Sequence, residues 1–383
     1  MNSQITSALA ADESSDAAIR SIVETFKQNP GCNRAGIALG VNVNGRVSIY
    51  TTGKVDFVDG HSEPVSASTA FEIGSITKTF TATIFAQLVK EGVLNPDSLV
   101  RDLLPPGTPV PSYKDSVSGD VVEITLDQLA HHTSGLPRQQ AVGNSGPFDT
   151  ERMFGQLDRI VLKTRPGSKY LDSQLGIALL AKVIERVTGQ TMAELALKRV
   201  TGPMRLANTR FYAESDPLVP IGYDRANQPV DRLITGSPAY AGANALVSTL
   251  DDMMAFLAAN MGRSVKDDPV MSVLPQLQTW KTVPCATAQE GGQGCADTDS
   301  GLVWSRLPSK VRGLSTIWKN GMTKGFAAWI GFVAPDDNQP APSGVVVLTS
   351  QSSCPVGPMA SCALSVINGL PPAPICSPSK VVQ

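Results

Sequence analysis

Apolar residues recur at helical spacing from about residue 14 to 28, at Ile19, Ile22, Val23 and Phe26, and Pro30-Gly31 stops that helix. The period then changes to two. Ile37, Leu39, Val41 and Val43 alternate with smaller or polar residues, Asn44-Gly45 follows, and Val47 and Ile49 continue the alternation. Asn-Gly between alternating runs predicts a β-hairpin. From about residue 75 to 265 the pattern is mainly helical. One helix spans 75–91 and ends at Gly92. Another, near 173–188, carries Leu180, Val183, Ile184 and Val187 on one face and stops at Gly189. Connections containing Pro, Gly and Ser (104–120, 135–150 and 213–238) wrap around them. Strands return beyond residue 300, at Leu314–Trp318, Phe326–Val333 and Gly344–Thr349, before a final helix near 359–368.

Strands at both ends with helices between them predict an α+β (mixed α/β) fold. One antiparallel sheet is built from N- and C-terminal segments and flanked by helices, with an all-α lobe inserted. Residues 15–70 and 300–370 are assigned to the α/β lobe and 71–299 to the helical lobe. Residues 371–383 form a Pro-rich tail, and 1–14 are read as disordered or as the remnant of a removed export signal, from Ala8-Leu9-Ala10 before Ala11-Asp12. A cleft between lobes is the natural place for a site.

Composition narrows the function. The 383 residues are 42% hydrophobic and 17% charged, which excludes a disordered chain. Lys+Arg number 32 against 34 Asp+Glu, so no basic excess exists to neutralise phosphates and no nucleic-acid partner is expected. No apolar run reaches membrane-spanning length. The six cysteines make no C-x-x-C pair. Cys285 and Cys295 bracket a Gly-rich loop, Cys354 and Cys362 bracket a short Pro/Gly segment, and Cys32 and Cys376 remain. Three disulfides, and hence a periplasmic or secreted protein, are the expectation.

Exclusions also shape the candidate chemistry. With three histidines (His61, His131 and His132) and no G-x-S-x-G, H-E-x-x-H, P-loop or G-x-G-x-x-G motif, neither a Ser-His-Asp hydrolase nor a metal or other cofactor is expected. His131 and His132 end a short apolar helix, where capping is the expected role. What stands out is Ser75-Ile76-Thr77-Lys78. Ser75 opens an amphipathic helix, so Ser75 and Lys78 stand one turn apart on one face, at a terminus whose free N–H groups favour negative charge. A nucleophile beside its base at such a terminus is what covalent acyl transfer requires. A second S-x-x-K, Ser377 to Lys380, lies in the tail and carries no such context. Near the other end, Lys319-Asn320-Gly321-Met322 lies in a segment running into a predicted strand, where a lysine leading into glycines can bind a carboxylate and let backbone approach closely.

Together these motifs resemble the serine β-lactamase/penicillin-binding-protein-like superfamily, in its class C β-lactamase, D,D-carboxypeptidase/endopeptidase and esterase branch, over roughly residues 15–370. Ile124–Pro137, Pro166-Gly167 with Gly176 and Gly189, Gly202–Thr209 and Val247–Asp252 add ordered matches. The resemblance implies a β-lactamase/transpeptidase-like fold in which Ser75 is acylated with Lys78 as its base. It places the oxyanion hole at the N–H groups of Ser75 and Met322, the third motif at Lys319, Asn320 and Gly321, and a substrate-binding amide at Gln139. The second motif departs from the family. Where the family has Tyr-x-Asn, this chain has Asp172 and Gln174, with Tyr170 two residues earlier as the competing register. An ionised Asp172 would favour a protonated Lys78, whereas a carboxyl of raised pKa would itself accept the Ser75 proton. The expected activity is hydrolysis of a D-amino-acid peptide, a β-lactam or a small ester, Lys319 leaning toward the carboxylate-bearing substrates. A catalytically impaired peptide-binding relative and an acyltransferase are the alternatives.

Overall fold

The computed structural model describes residues 2–140, 148–211, 216–230, 238–263, 268–290, 299–307, 315–333, 342–370 and 376, with residues 2–12 described in backbone only. Its centre is a seven-stranded antiparallel sheet. In chain order the strands are β1 (Ile37–Val43), β2 (Arg46–Thr52), β3 (Asp299–Ser300), β4 (Ser305–Leu307), β5 (Thr316–Met322), β6 (Ala327–Val333) and β7 (Ser343–Thr349), arranged β3-β4-β5-β6-β7-β1-β2. The chain's two ends meet where β1 pairs with β7, Ile37 opposite Thr349 and Val43 opposite Ser343. Asn44 and Gly45 close the β1–β2 hairpin with φ of 52° and 87°, the doubly left-handed turn that suits a right-twisted ribbon.

Alternation along the strands divides the core into two faces. Ile37, Leu39, Val41, Val345 and Val347 pack against the first helix, α1 (Asn2–Lys27), and the last, α6 (Val356–Ile367). Ala38, Ala328, Ile330, Val346 and Leu348 face the helical region. That region contains α2 (Thr77–Lys90), α3 (Leu126–Ala130), α4 (Gln174–Thr188) and α5 (Leu250–Asn260). Gly40 lets α5 close on the sheet, since a Cβ there would lie 2.4 Å from Met254 Sδ. Gly189 ends α4 in the left-handed conformation at φ 66°, as a C-terminal glycine does.

Two expectations are corrected. Helix α1 begins at Asn2, which overturns disorder as the reading of residues 2–14 and leaves the export-signal reading as it stood; no Gly or Pro interrupts residues 2–27, and Ala8, Ala10 and Ala11 favour continuation. The local Cys354/Cys362 bracket does not close. Cys354 bonds Cys32, joining the end of the sheet to the turn before β1, and Cys362 reaches Cys376 from within α6. Strand order makes residues distant in sequence neighbours, which spacing along the chain cannot convey. Cys285 is disulfide-bonded, while Cys295 lies outside the described residues, as do Leu314 and the Pro-rich tail apart from Cys376.

Candidate active site

The site is assembled where the start of α2 meets the exposed edge of β5. Gly74–Ile76 forms a 3-10 turn that leads directly into α2, so Ser75 sits one step ahead of the α-helix it was expected to open. Gly74 has φ 49°, and a Cβ on it would lie 2.6 Å from the Met322 nitrogen. Gly321 is tighter still, since a Cβ would fall 1.9 Å from the Ile73 carbonyl oxygen and 3.1 Å from the Ser75 nitrogen. Side chains at these two positions would wedge the elements apart. Strand β4 pairs only with Thr316–Trp318, leaving the rest of that β5 edge to the Ser75 turn. On the other edge Thr323 N–H bonds the Phe326 carbonyl. By antiparallel alternation Met322, opposite Ala327, therefore turns its N–H away from β6 and toward the turn.

Lys78 follows Ser75 by one turn, and its Nζ lies 2.5 Å from Ser75 Oγ. The amine is fully buried. Desolvation pushes its pKa down to about 7, with Asp172 opposing and Lys319 and Arg138 assisting. Burial disfavours the ammonium, so a neutral amine becomes accessible near neutral pH.

The second wall is the segment entering α4. Ser173 caps that helix, its hydroxyl accepting from Gly176 N–H and donating to the Pro137 carbonyl. Backbone bonds from Gly167 to Thr133, Leu171 to His132 and Gln174 to Arg138 lash the entering segment to residues 132–138. Asp172 is thereby placed opposite Lys319, whose Nζ is 3.3 Å from Asp172 Oδ2. Burial alone would raise the Asp172 carboxyl, but Lys319 and then Lys78 hold it well below the usual carboxylate range. That direction is opposite to the one a general base working near neutral pH needs. Tyr170 turns away. Its ring meets His132 edge-on at 5.8 Å, its hydroxyl is bonded with Ser305, and burial raises its pKa; no hydrogen bond links it to Ser75 or Lys78.

Other predicted residues separate. Lys319 is 2% exposed and its ammonium donates to Asp172 Oδ2 at 3.3 Å. Asn320 and Met322 project from the opposite, solvent-facing side of β5. Gln174 is half-buried at the start of α4, and Gln139 is exposed while its neighbour Gln140 is buried and donates to the Met153 carbonyl. His131 caps α3 as expected. His132, read as a second capping residue, instead lies fully buried against Asp172, its Nε2 3.6 Å from Oδ1. No sequence signal separates it from His131, because both follow the same helix end.

Beside β5, on the α6 side, a cavity of about 500 Å³ includes Asn320 and Met322 with Trp318, Trp329, Val356 and Leu364 in its lining. None of its described lining residues is charged. The Trp318 indole Nε1 is buried without a hydrogen-bond partner. No group of His, Cys, Asp and Glu able to hold a metal occurs among the described residues, and no described helix is long and apolar enough to cross a membrane.

Residues 17–358 match the sequence model of the Beta-lactamase family. The chain is 26% identical over 272 residues to the D-alanyl-D-alanine-carboxypeptidase/endopeptidase AmpH of Escherichia coli (strain K12), covering 68% of this chain and 67% of the relative. It is 24% identical over 341 residues to a Beta-lactamase of Pseudomonas fluorescens, covering 83% and 89%. Among solved structures, the D-alanine carboxypeptidase AmpC from Burkholderia cenocepacia superposes with a TM-score of 0.72 at 23% identity, covering 94% of this chain and 99% of that one. This last likeness speaks for the fold.

Proposed function

The chain belongs to the Beta-lactamase family, and from that membership we propose that it is a hydrolase forming an acyl-enzyme on Ser75, with Lys78 and not Asp172 as the base. The observation that carries the proposal is the 2.5 Å contact between Ser75 Oγ and a buried amine whose pKa lies near 7. In this reading the neutral Lys78 amine takes the Ser75 proton as Oγ bonds to the substrate carbonyl carbon. The carbonyl electron pair moves onto oxygen, facing the N–H groups of Ser75 and Met322, preorganised donors of the kind that stabilise such a charge. Collapse restores the C=O bond, breaks the bond to the leaving group, and returns the proton from Lys78 to that group. Water then attacks the acyl carbon, the Ser75 Oγ–acyl bond breaks, and the proton lost by the water passes through Lys78 back to Oγ.

Asp172 acts in this account as the counter-charge of Lys319. With the charge of that lysine already paired, the favoured acyl donors are uncharged esters or amides over carboxylate-bearing ones. The relatives named for D-alanyl-D-alanine carboxypeptidase and β-lactamase activity keep amide and lactam carbonyls within the class. Disulfides Cys32–Cys354 and Cys362–Cys376 support an exported protein in an oxidising compartment.

Intact-protein mass spectrometry after incubation with an aryl acetate or a penicillin tests the proposal. An acetyl adduct that forms faster than the penicilloyl one, and is absent from Ser75→Ala, is expected. Absence of an adduct with either donor would favour a binding protein, and faster penicillin acylation would overturn the substrate preference.

A further inference from the structure

The second wall of the site contains a histidine that the proposed reaction does not use. His132 is fully buried at φ 56°, a left-handed conformation uncommon outside glycine, though histidine is among the residues that adopt it more readily. Its backbone is held there by His132 N–H to the Leu129 carbonyl and by Leu171 N–H to its own carbonyl, at 3.2 and 2.8 Å. The ring is fixed from two sides. Tyr170 packs edge-on against it, and the Ser173 N–H donates to Nδ1 at 3.1 Å. An Nδ1 that accepts a hydrogen bond carries no proton, so a neutral ring must hold its proton on Nε2.

That nitrogen faces Asp172 Oδ1 at 3.6 Å. Both atoms are buried, and neither has another hydrogen-bond partner. The separation is just beyond hydrogen-bond length, and two orphaned polar atoms facing each other across so short a gap gain most by closing it. We infer that His132 is a positioning residue for Asp172: its Nε2–H restrains Oδ1 and so keeps Oδ2 on Lys319 and off the Lys78 amine.

Burial pushes the imidazole pKa down to about 3, so the donor stays neutral at working pH. An imidazolium would, in addition, set an N–H against the Ser173 N–H. The titratable and charged groups facing this arrangement are Lys319 from β5, Lys78 from α2, Arg138 from the bracing segment, His131 beside it and the Tyr170 hydroxyl. Lys78 in turn experiences Asp172, Lys319 and Arg138. Only Asp172 among these favours the ammonium, so freeing its carboxylate to turn toward Lys78 would delay loss of the Lys78 proton.

The inference rests on the Ser75–Lys78 reading, and two variants of the full chain separate their fates. His132→Asn retains an acceptor near Nδ1 for Ser173 but has no donor reaching Asp172, whereas His132→Gln places an amide N–H near Nε2. The rate of Ser75 acylation by an aryl acetate is followed against pH, with thermal melting to establish folding. The acid limb of the Asn variant is expected to move up by about one pH unit. The Gln variant should recover at least half of that shift, and combining His132→Asn with Asp172→Asn should remove it. A folded Asn variant with an unmoved acid limb would overturn the inference. Imidazole nitrogen NMR gives a readout independent of activity: an Nε2–H signal in wild type that moves upfield in Asp172→Asn is expected, and one indifferent to that substitution overturns the inference. A chain that takes up no acyl group yet shows the NMR response keeps the positioning role while the hydrolase reading fails.

Discussion

Two buried lysines stand on opposite sides of one cleft, and their surroundings give them opposite roles. Lys78 rises from α2 with the Ser75 hydroxyl as its hydrogen-bond partner and no carboxylate within bonding distance. Desolvation therefore dominates, and the amine loses its proton near neutral pH. Lys319 projects from β5 onto Asp172, where the opposite charge lies at 3.3 Å. Similar burial thus yields a base in one place and a held cation in the other. What discriminates them is a single carboxylate, at the position where the resemblance leads one to expect a tyrosine.

The comparison breaks most completely if Lys78 is dispensable. Lys78→Met preserves the bulk of the buried stem and removes the amine, and it should lower Ser75 acylation by about 10²–10⁴-fold, the usual worth of a positioned base. Stopped-flow acylation by an aryl ester would detect this, and a change under threefold would move the base elsewhere. Asp172→Asn sharpens the comparison from the other side with a smaller effect. Removing the carboxylate takes away the group that favours the Lys78 ammonium, so the acid limb of the rate profile should shift downward, by about one pH unit. The unpaired Lys319, itself 2% exposed, should at the same time lower stability by roughly 3–5 kcal/mol, the cost of leaving a buried charge uncompensated. Urea titration at pH 7 measures that loss. Collapse of acylation at every pH would instead make Asp172 the base.

The sequence displays one wall of this cleft better than the other. The S-x-x-K spacing depends on a single helical turn, and the period-two run around Asn44-Gly45 and the short apolar runs of β6 and β7 are local signals, so the first motif and most of the sheet can be read in advance. Met322 was placed by resemblance, and the backbone contacts at Gly74 and Gly321 explain why that nitrogen faces Ser75. The second wall depends on pairs far apart in the chain. Asp172 meets Lys319 across 147 residues, and His132 meets Ser173 across 41. No periodicity announces either contact. The direction of the Asp172 pKa was equally hidden, since it is set by which cations the fold brings to the carboxylate. The disulfides follow the same rule. Cys32 and Cys354 are separated by 322 residues and adjoin only because β1 lies next to β7.

The pH dependence of Ser75 acylation by an uncharged aryl ester, measured as a rate under single-turnover conditions, probes the central assignment most directly. A single ionisation with its midpoint near pH 7, retained but about one pH unit lower in Asp172→Asn and lost with Lys78→Met, is the predicted result. A midpoint in the carboxylate range that disappears with Asp172→Asn would contradict it.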